Sequence, residues 1–214
     1  MKSNRGLAIA LTLAVLAALW LLRGTLGRPG VNLRPSAAVG EILAAEVERL
    51  LGSGGGQVAL VSRQPPTDGL NANGQRIAAF TDAIKKRPAI KLAPPNWLPS
   101  PPVGVMDLGT VSSEQLLAAI DQTPTARAFL ILAGLPPFSN ALAEKINSRS
   151  LKLVAVCGYS ANVRRWLEAK AVAVAVIPRF GELPVGTPPP KTARDWFDRE
   201  YQLVTPETLA QLPF

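Results

Sequence analysis

The chain has 214 residues, of which 48% are hydrophobic and 18% charged, and it contains one cysteine, Cys157, and no histidine. This length fits one domain of ordinary size plus a short extension. A single cysteine excludes an intramolecular disulfide, and a zinc site built from cysteine and histidine needs more ligands than the chain has. We therefore expect no metal site.

The formal net charge of +8 is concentrated at the start of the chain. Residues 1–35 hold five basic and no acidic side chains, which leaves 18 basic and 15 acidic side chains for the other residues. A nucleic-acid-binding domain carries its basic excess on its folded part. The sequence therefore predicts no nucleic-acid partner, and it places the excess where lysines and arginines meet lipid headgroups.

Residues 6–22, GLAIALTLAVLAALWLL, carry no charge. As a helix they would span roughly 25 Å, slightly less than a bilayer core of about 30 Å. The basic start also agrees with a cleaved signal peptide, but the small residues of a cleavage site are missing after Leu22. Trp20 suits the membrane interface. We favour a single-pass signal anchor over residues 1–27, in contact with the lipid bilayer, followed by a linker over residues 28–35.

Residues 36–214 are predicted to form one α/β domain. Ser36 is expected to cap its first helix, and two pairs are typical of capping boxes, Ser112 with Gln115 and Thr192 with Asp195. The predicted helices cover 37–51, 74–86, 113–120, 140–147, 161–169 and 192–199. The predicted strands cover 58–62, 90–92, 128–133, 151–156, 172–177 and 201–204, with a weaker candidate at 103–107.

Strand and helix alternate along this domain. The strands at 128–133 and 151–156 are almost continuously apolar, which is typical of parallel strands covered on both faces. The sequence thus predicts a three-layer, doubly wound, mostly parallel sheet. The proline-rich segment 178–190 is predicted to be extended and on the surface.

A glycine-rich run at 52–56 follows a helix and opens a strand. Phosphate-binding loops have the reverse order, because they follow a strand and open a helix. We therefore expect no nucleotide cofactor, and no other cofactor is indicated.

In an open parallel sheet, ligands bind beyond the carboxyl ends of the strands. Arg63, Gly134, Tyr159 and Arg179 follow predicted strands, and together they would suit a sugar or an organic anion. The alternative is that they are ordinary loop residues.

Catalytic residues are not indicated. Asp195 and Asp198 share a helix face, but Arg194 and Arg199 flank them, which is typical of a solvated helix. The serines lack a Gly-x-Ser-x-Gly context and a histidine base. Cys157 is interpreted as a small residue at a strand end. We therefore predict that the protein is not an enzyme.

Trp97 lies in a proline-rich segment at residues 94–99 that is predicted to be an exposed loop. A tryptophan there suits a protein or membrane contact. Trp20 is predicted to make such a contact at the bilayer interface.

The order of elements from Gln57 to Arg179 resembles one lobe of the type 1 periplasmic solute-binding proteins of sugar transporters. The resemblance is carried by the sequences at 58–62, 113–120, 133–137, 151–156 and 172–179. It implies an α/β lobe in an extracytoplasmic location. Members of that family hold their ligand between two lobes joined by a hinge, and the 35 residues after Arg179 are too few for a second lobe.

Three functions remain from the sequence, of which the third, an enzyme, would need polar residues at the strand ends clustered around a closed pocket. The first is a membrane-anchored, non-enzymatic accessory subunit of a larger membrane or envelope complex, with a membrane protein as its partner. The alternative is a domain that binds or senses a small ligand, a sugar or an organic anion, related to solute-binding proteins. In the first two, the α/β domain is expected on the periplasmic side.

Overall fold

The computed structural model describes residues 32–65, 71–99, 110–158, 160–181 and 186–211. The predicted anchor helix at 6–22 with Trp20, the weak strand at 103–107 and Tyr159 lie outside these residues. In the described ranges, no helix combines the length and apolar character needed to cross a bilayer. Residues Leu33–Phe214 form one unit.

Six α-helices and seven strands occur in the described ranges. The helices are α1 (Arg34–Leu51), α2 (Ala72–Lys85), α3 (Ser113–Gln122), α4 (Asn140–Ser148), α5 (Ala161–Glu168) and α6 (Ala193–Glu200). The strands are β1 (Gly56–Arg63), β2 (Ile90–Leu92), β3 (Asn96–Leu98), β4 (Ala126–Ile131), β5 (Lys152–Val156), β6 (Val174–Pro178) and β7 (Tyr201–Val204). A 3-10 turn over Leu209–Gln211 follows β7.

The strands form one sheet in the order β2-β1-β4-β5-β6-β7. All pairs are parallel except β6 with β7, which is antiparallel. This confirms the predicted mixed α/β fold with a mostly parallel sheet. The edge beside β1 is interrupted, since β2 pairs with its first residues and β3 with Val61–Arg63.

Helices cover both faces of the sheet. Helices α1, α2 and α6 contribute Val39, Leu43, Phe80 and Phe197 to the core on one face. Helices α3, α4 and α5 supply the core on the other, with Leu116, Ile120, Leu142, Ile146 and Trp166. Successive strand residues point to opposite faces, so Leu130 joins the first core and Phe129 the second. The domain therefore has three layers.

Local capping explains several helix starts. The Ser112 hydroxyl accepts from Gln115 N at 3.1 Å, and Gln115 Oε1 accepts from Ser112 N at 2.9 Å, as predicted. The pair Thr192 and Asp195 forms a second capping box, also as predicted.

Two local predictions were wrong. Ser36 does not cap α1: the helix begins at Arg34 after Leu33, and Ser36 is buried in its first turn. Pro35 at the start favours this earlier onset, because its fixed φ suits the first helical turn. Residues 94–99 are not entirely loop, because Asn96–Leu98 pair with β1. The remaining element ends agree with prediction to within a few residues.

Gly40 lets α1 and α2 pack closely. A Cβ at this position would overlap the backbone oxygen of Arg76 and lie 2.8 Å from the backbone nitrogen of Phe80. Both obstacles belong to helix backbone, which cannot move aside as a flexible side chain can. Gly40 therefore sets how close the second turn of α2 lies to α1.

We predict that Gly40→Ala destabilises the domain. Alanine improves helix propensity by up to about 1 kcal/mol, but overpacking against backbone costs about 1–3 kcal/mol. The melting temperature should fall by several degrees, since 1 kcal/mol corresponds to about 2–4 °C in a domain of this size. Gly54→Ala is the control, because its Cβ would lie 3.8 Å from Arg127. An unchanged or raised melting temperature for Gly40→Ala would contradict this packing.

Candidate functional site

A cleft of about 510 Å³ opens beyond the carboxyl ends of β4, β5 and β6. The connections after neighbouring strands leave the sheet in opposite directions, because β1 leads into α2 on one face and β4 leads into α4 on the other. Such a reversal leaves a crevice above the strand ends, where α/β sheets bind ligands. Its lining comprises Arg76, Thr110, Leu132, Gly134, Leu135, Val156, Cys157, Gly158, Ser160, Asn162, Val163, Pro178 and Tyr201.

The loop after β4 forms one wall and is held from α5. Asn162 Nδ2 donates to the Pro136 oxygen at 2.8 Å, and Asn162 Oδ1 accepts from Phe138 N at 2.7 Å. The fully buried Trp166 donates its Nε1–H to the same Pro136 oxygen at 3.0 Å. Gly134 begins this loop with a φ of 68°, which favours glycine. Three side-chain hydrogen bonds thus hold this wall in place.

The start of α2 forms a polar cluster at the end of β1. Asn71 caps the helix, with Oδ1 accepting from Gly74 N at 2.7 Å. Asn73 Nδ2 donates to the hydroxyl of the fully buried Ser62 at 3.0 Å. Buried polar atoms usually have partners, yet Asn71 Nδ2, Asn73 Oδ1 and Arg76 Nε have no hydrogen-bond acceptor or donor among the described residues. Asn71 immediately precedes α2, and Asn73 and Arg76 lie in its first two turns.

Arg76 is the single charged side chain among the described residues that line the cleft. It is half-buried, and its Nη2 donates to the Tyr201 hydroxyl at 3.2 Å. Its guanidinium carbon lies 5.9 Å from the centre of the Tyr201 ring. Tyr201, at the start of β7, thus holds the guanidinium at the mouth of the cleft.

The structure brings one of the predicted ligand-binding residues, Gly134, to the cleft. Arg63 instead donates Nη1 to the Pro99 oxygen at 2.9 Å, at the end of β3. Arg179 Nη1 donates to the backbone oxygen of Asp198 at 2.6 Å, and Arg179 lines a separate groove with Pro188–Pro190. The predicted convergence of Arg63 and Arg179 on one ligand does not occur. The physical reason is that β1 and β6 are three positions apart in the sheet, roughly 14 Å.

Sequence reasoning missed Arg76, Asn162 and Tyr201. A signal existed for Arg76, because it precedes Phe80 by four residues and so shares the inward helix face. Arg76 and Tyr201 are separated by 125 residues, and no local pattern predicts that contact.

Cys157 follows β5 and lines the cleft, and its strand-end position agrees with prediction. Burial raises the pKa of the Cys157 thiol to about 12, from about 9.0 for an exposed thiol. The thiol therefore stays protonated at neutral pH, and the thiolate that acts as a nucleophile is scarce.

We predict that Cys157 lowers stability at alkaline pH. Because the pKa of Cys157 is raised in the folded state, unfolding releases a proton above pH 9.0. The stability that the protonated thiol contributes is therefore complete below pH 9 and is lost as the pH rises towards 12. Between pH 7.5 and 10.5, the free energy of unfolding in urea should fall by about 1–2 kcal/mol more than in Cys157→Ala. Equal pH dependence in both proteins would contradict the raised pKa.

The chain has no match among models of protein families and none among curated proteins. Solved structures do match. A carbohydrate transporter solute-binding protein from Agrobacterium radiobacter, in complex with D-arabinose, is 16% identical with a TM-score of 0.53 and covers 84% of this chain. An arabinose-binding protein from Geobacillus stearothermophilus is 14% identical with a TM-score of 0.54 and covers 82%. A LacI-type transcriptional regulator from Bacteroides fragilis is 11% identical with a TM-score of 0.53 and covers 83%.

The chain spans about three fifths of these proteins, covering 61%, 62% and 62% of their lengths. At such identity the likeness concerns the fold alone. The domain has a periplasmic-binding-protein-like α/β fold, as the resemblance in its sequence implied.

Proposed function

We propose that the domain binds a small polar ligand, a sugar or an organic anion, in the cleft above β4, β5 and β6. The observation that supports this proposal is a cleft of about 510 Å³. One of its walls is the loop after β4, which Asn162 fixes, and its lining includes Arg76, which is hydrogen-bonded to Tyr201. Ligand pockets usually measure about 300–1,000 Å³ and combine apolar walls with a few placed polar groups. One fold neighbour is a solute-binding protein in complex with D-arabinose and another is an arabinose-binding protein, which supports this class of ligand.

The lining suits binding of a polar molecule. Leu132, Leu135 and Val156 provide apolar contacts, while Ser160 and Thr110 provide hydroxyl groups. Apart from its two chain neighbours, no described residue has an atom within 4 Å of the position where a Cβ of Gly158 would lie, so a ligand can approach the backbone there. The protonated Cys157 thiol suits a binding role better than a nucleophilic one. We therefore propose that the cleft holds its ligand without chemical change.

We place this activity at a membrane surface. The uncharged run at residues 6–22 supports a signal anchor, and the resemblance to solute-binding proteins supports an extracytoplasmic domain. Protease protection of the full chain in sealed vesicles tests this location.

A leucine at Gly158 is predicted to block ligand binding. Its side chain has open space to occupy at the cleft, so the fold should tolerate it while the ligand loses volume. A thermal-shift screen with sugars and organic anions should raise the melting temperature of the wild-type protein, and Gly158→Leu should abolish the shift. Gly54→Leu, at the amino end of β1, is the matched control. A screen in which no compound shifts the wild type would refute the binding function.

A protein-binding role is the second candidate, as an accessory subunit of a membrane complex. Trp97 supports it, because 42% of this side chain is exposed on β3 at an edge of the sheet. Edge strands present unpaired backbone groups to other chains, and an exposed tryptophan is typical of protein interfaces.

If Trp97 anchors a partner, Trp97→Ala should lower the native mass of the particle purified from membranes in mild detergent. Phe180→Ala is the matched control, because Phe180 is similarly exposed at 38% beyond β6. A wild-type particle with the mass of one chain would rule out this role.

A further inference from the structure

We propose that the ligand of the cleft is anionic, and that Arg76 binds its carboxylate or phosphate group. This inference rests on the proposed function, and it narrows the ligand class of the same cleft from sugars or organic anions to anions.

The first argument is the unmet hydrogen-bonding capacity of Arg76. Among the described residues, its side chain donates a hydrogen bond to Tyr201, and its buried Nε has no acceptor. A guanidinium has five N–H donors and accepts nothing. Buried donors without acceptors are costly, and more so when the group is charged. A ligand oxygen at this position would remove that cost.

The second argument is charge. The described lining of the cleft contains Arg76 and no aspartate or glutamate. Elsewhere in the described residues, arginines of similar helices are paired with acids: Arg164 with Glu168 at 2.8 Å, and Arg194 with Asp198 at 2.7 Å. Arg76 has no such ion pair with a described residue. A half-buried cation without a carboxylate favours an anionic ligand, because charge-assisted hydrogen bonds are stronger than neutral ones.

The third argument is orientation. Tyr201 accepts a hydrogen bond from Nη2 and places its ring 5.9 Å from the guanidinium carbon. The close packing at Gly40 fixes the backbone of α2 at Arg76 itself. A guanidinium that is already positioned loses less side-chain entropy on binding. Tyr201 is therefore a positioning residue, and Arg76 is the group that contacts the ligand.

Calorimetric titration of the full chain in detergent micelles tests this inference. The probes are inorganic phosphate, acetate, glucuronate and glucose 6-phosphate, with glucose as the neutral match. We expect at least one anion to bind more tightly than glucose, and its affinity to weaken when salt rises from 20 to 200 mM. Separate phosphate and carboxylate probes show which of the two groups the cleft prefers.

Arg76→Met should weaken anion binding at least tenfold, and Arg76→Lys should weaken it less because the charge remains. Tyr201→Phe should weaken anion binding a few fold in the wild-type background, and it should cause no further loss in the Arg76→Met background. Arg179→Met is the matched control, because Arg179 lies in the separate groove, and it should bind like the wild type. Melting curves establish whether each variant is folded. If Arg76→Met does not fold, Arg76→Lys and Tyr201→Phe test the role of Arg76 in its place.

The outcomes separate this inference from the proposed function. Binding of glucose with equal affinity in wild type and Arg76→Met, with no anion bound, would overturn the anion inference and leave the binding function standing. Anion binding that Arg76→Met leaves unchanged would also overturn the assignment to Arg76. Binding of no probe, together with the flat sugar and anion screen described above, would overturn both.

Discussion

The complete burial of the central parallel strands is the constraint on which the rest of this structure depends. Leu130 and Val154 are fully buried on one face of the sheet, and Phe129 and Leu153 are fully buried on the other. Strands of this kind need helices on both faces. Helices on both faces require connections that leave the sheet in two directions, and the crevice above the strand ends follows from that divergence.

The crevice is held by long-range contacts more than by its own loops. Asn162 and Trp166 of α5 fix the loop after β4, and Tyr201 of β7 fixes the side chain of Arg76. Each of these contacts joins elements that are distant in sequence and that the sheet brings close together. The polar atoms of Asn73 and Arg76 that lack partners among the described residues lie on α2, beside this crevice.

The likeness to solute-binding proteins and a LacI-type regulator is a likeness of fold. They share with this chain the layered α/β arrangement at 11–16% identity, and this chain spans about three fifths of their length. A common fold brings strand ends together whatever side chains they carry. The ligand class that we propose therefore rests on this chain's own residues, above all on Arg76, which has no acidic neighbour in the described lining of the cleft.

The sequence by itself determined the features that depend on neighbours along the chain. The alternation of apolar strands with amphipathic helices determined the α/β class, and the capping box at Ser112 determined where α3 begins, because these interactions span a few residues. Tertiary structure decided the rest. Strand β3 has three residues and exists only because β1 pairs with it. Strand order separated Arg63 from Arg179 and brought Arg76 to Tyr201, because hydrogen bonds between strands set which distant residues become neighbours.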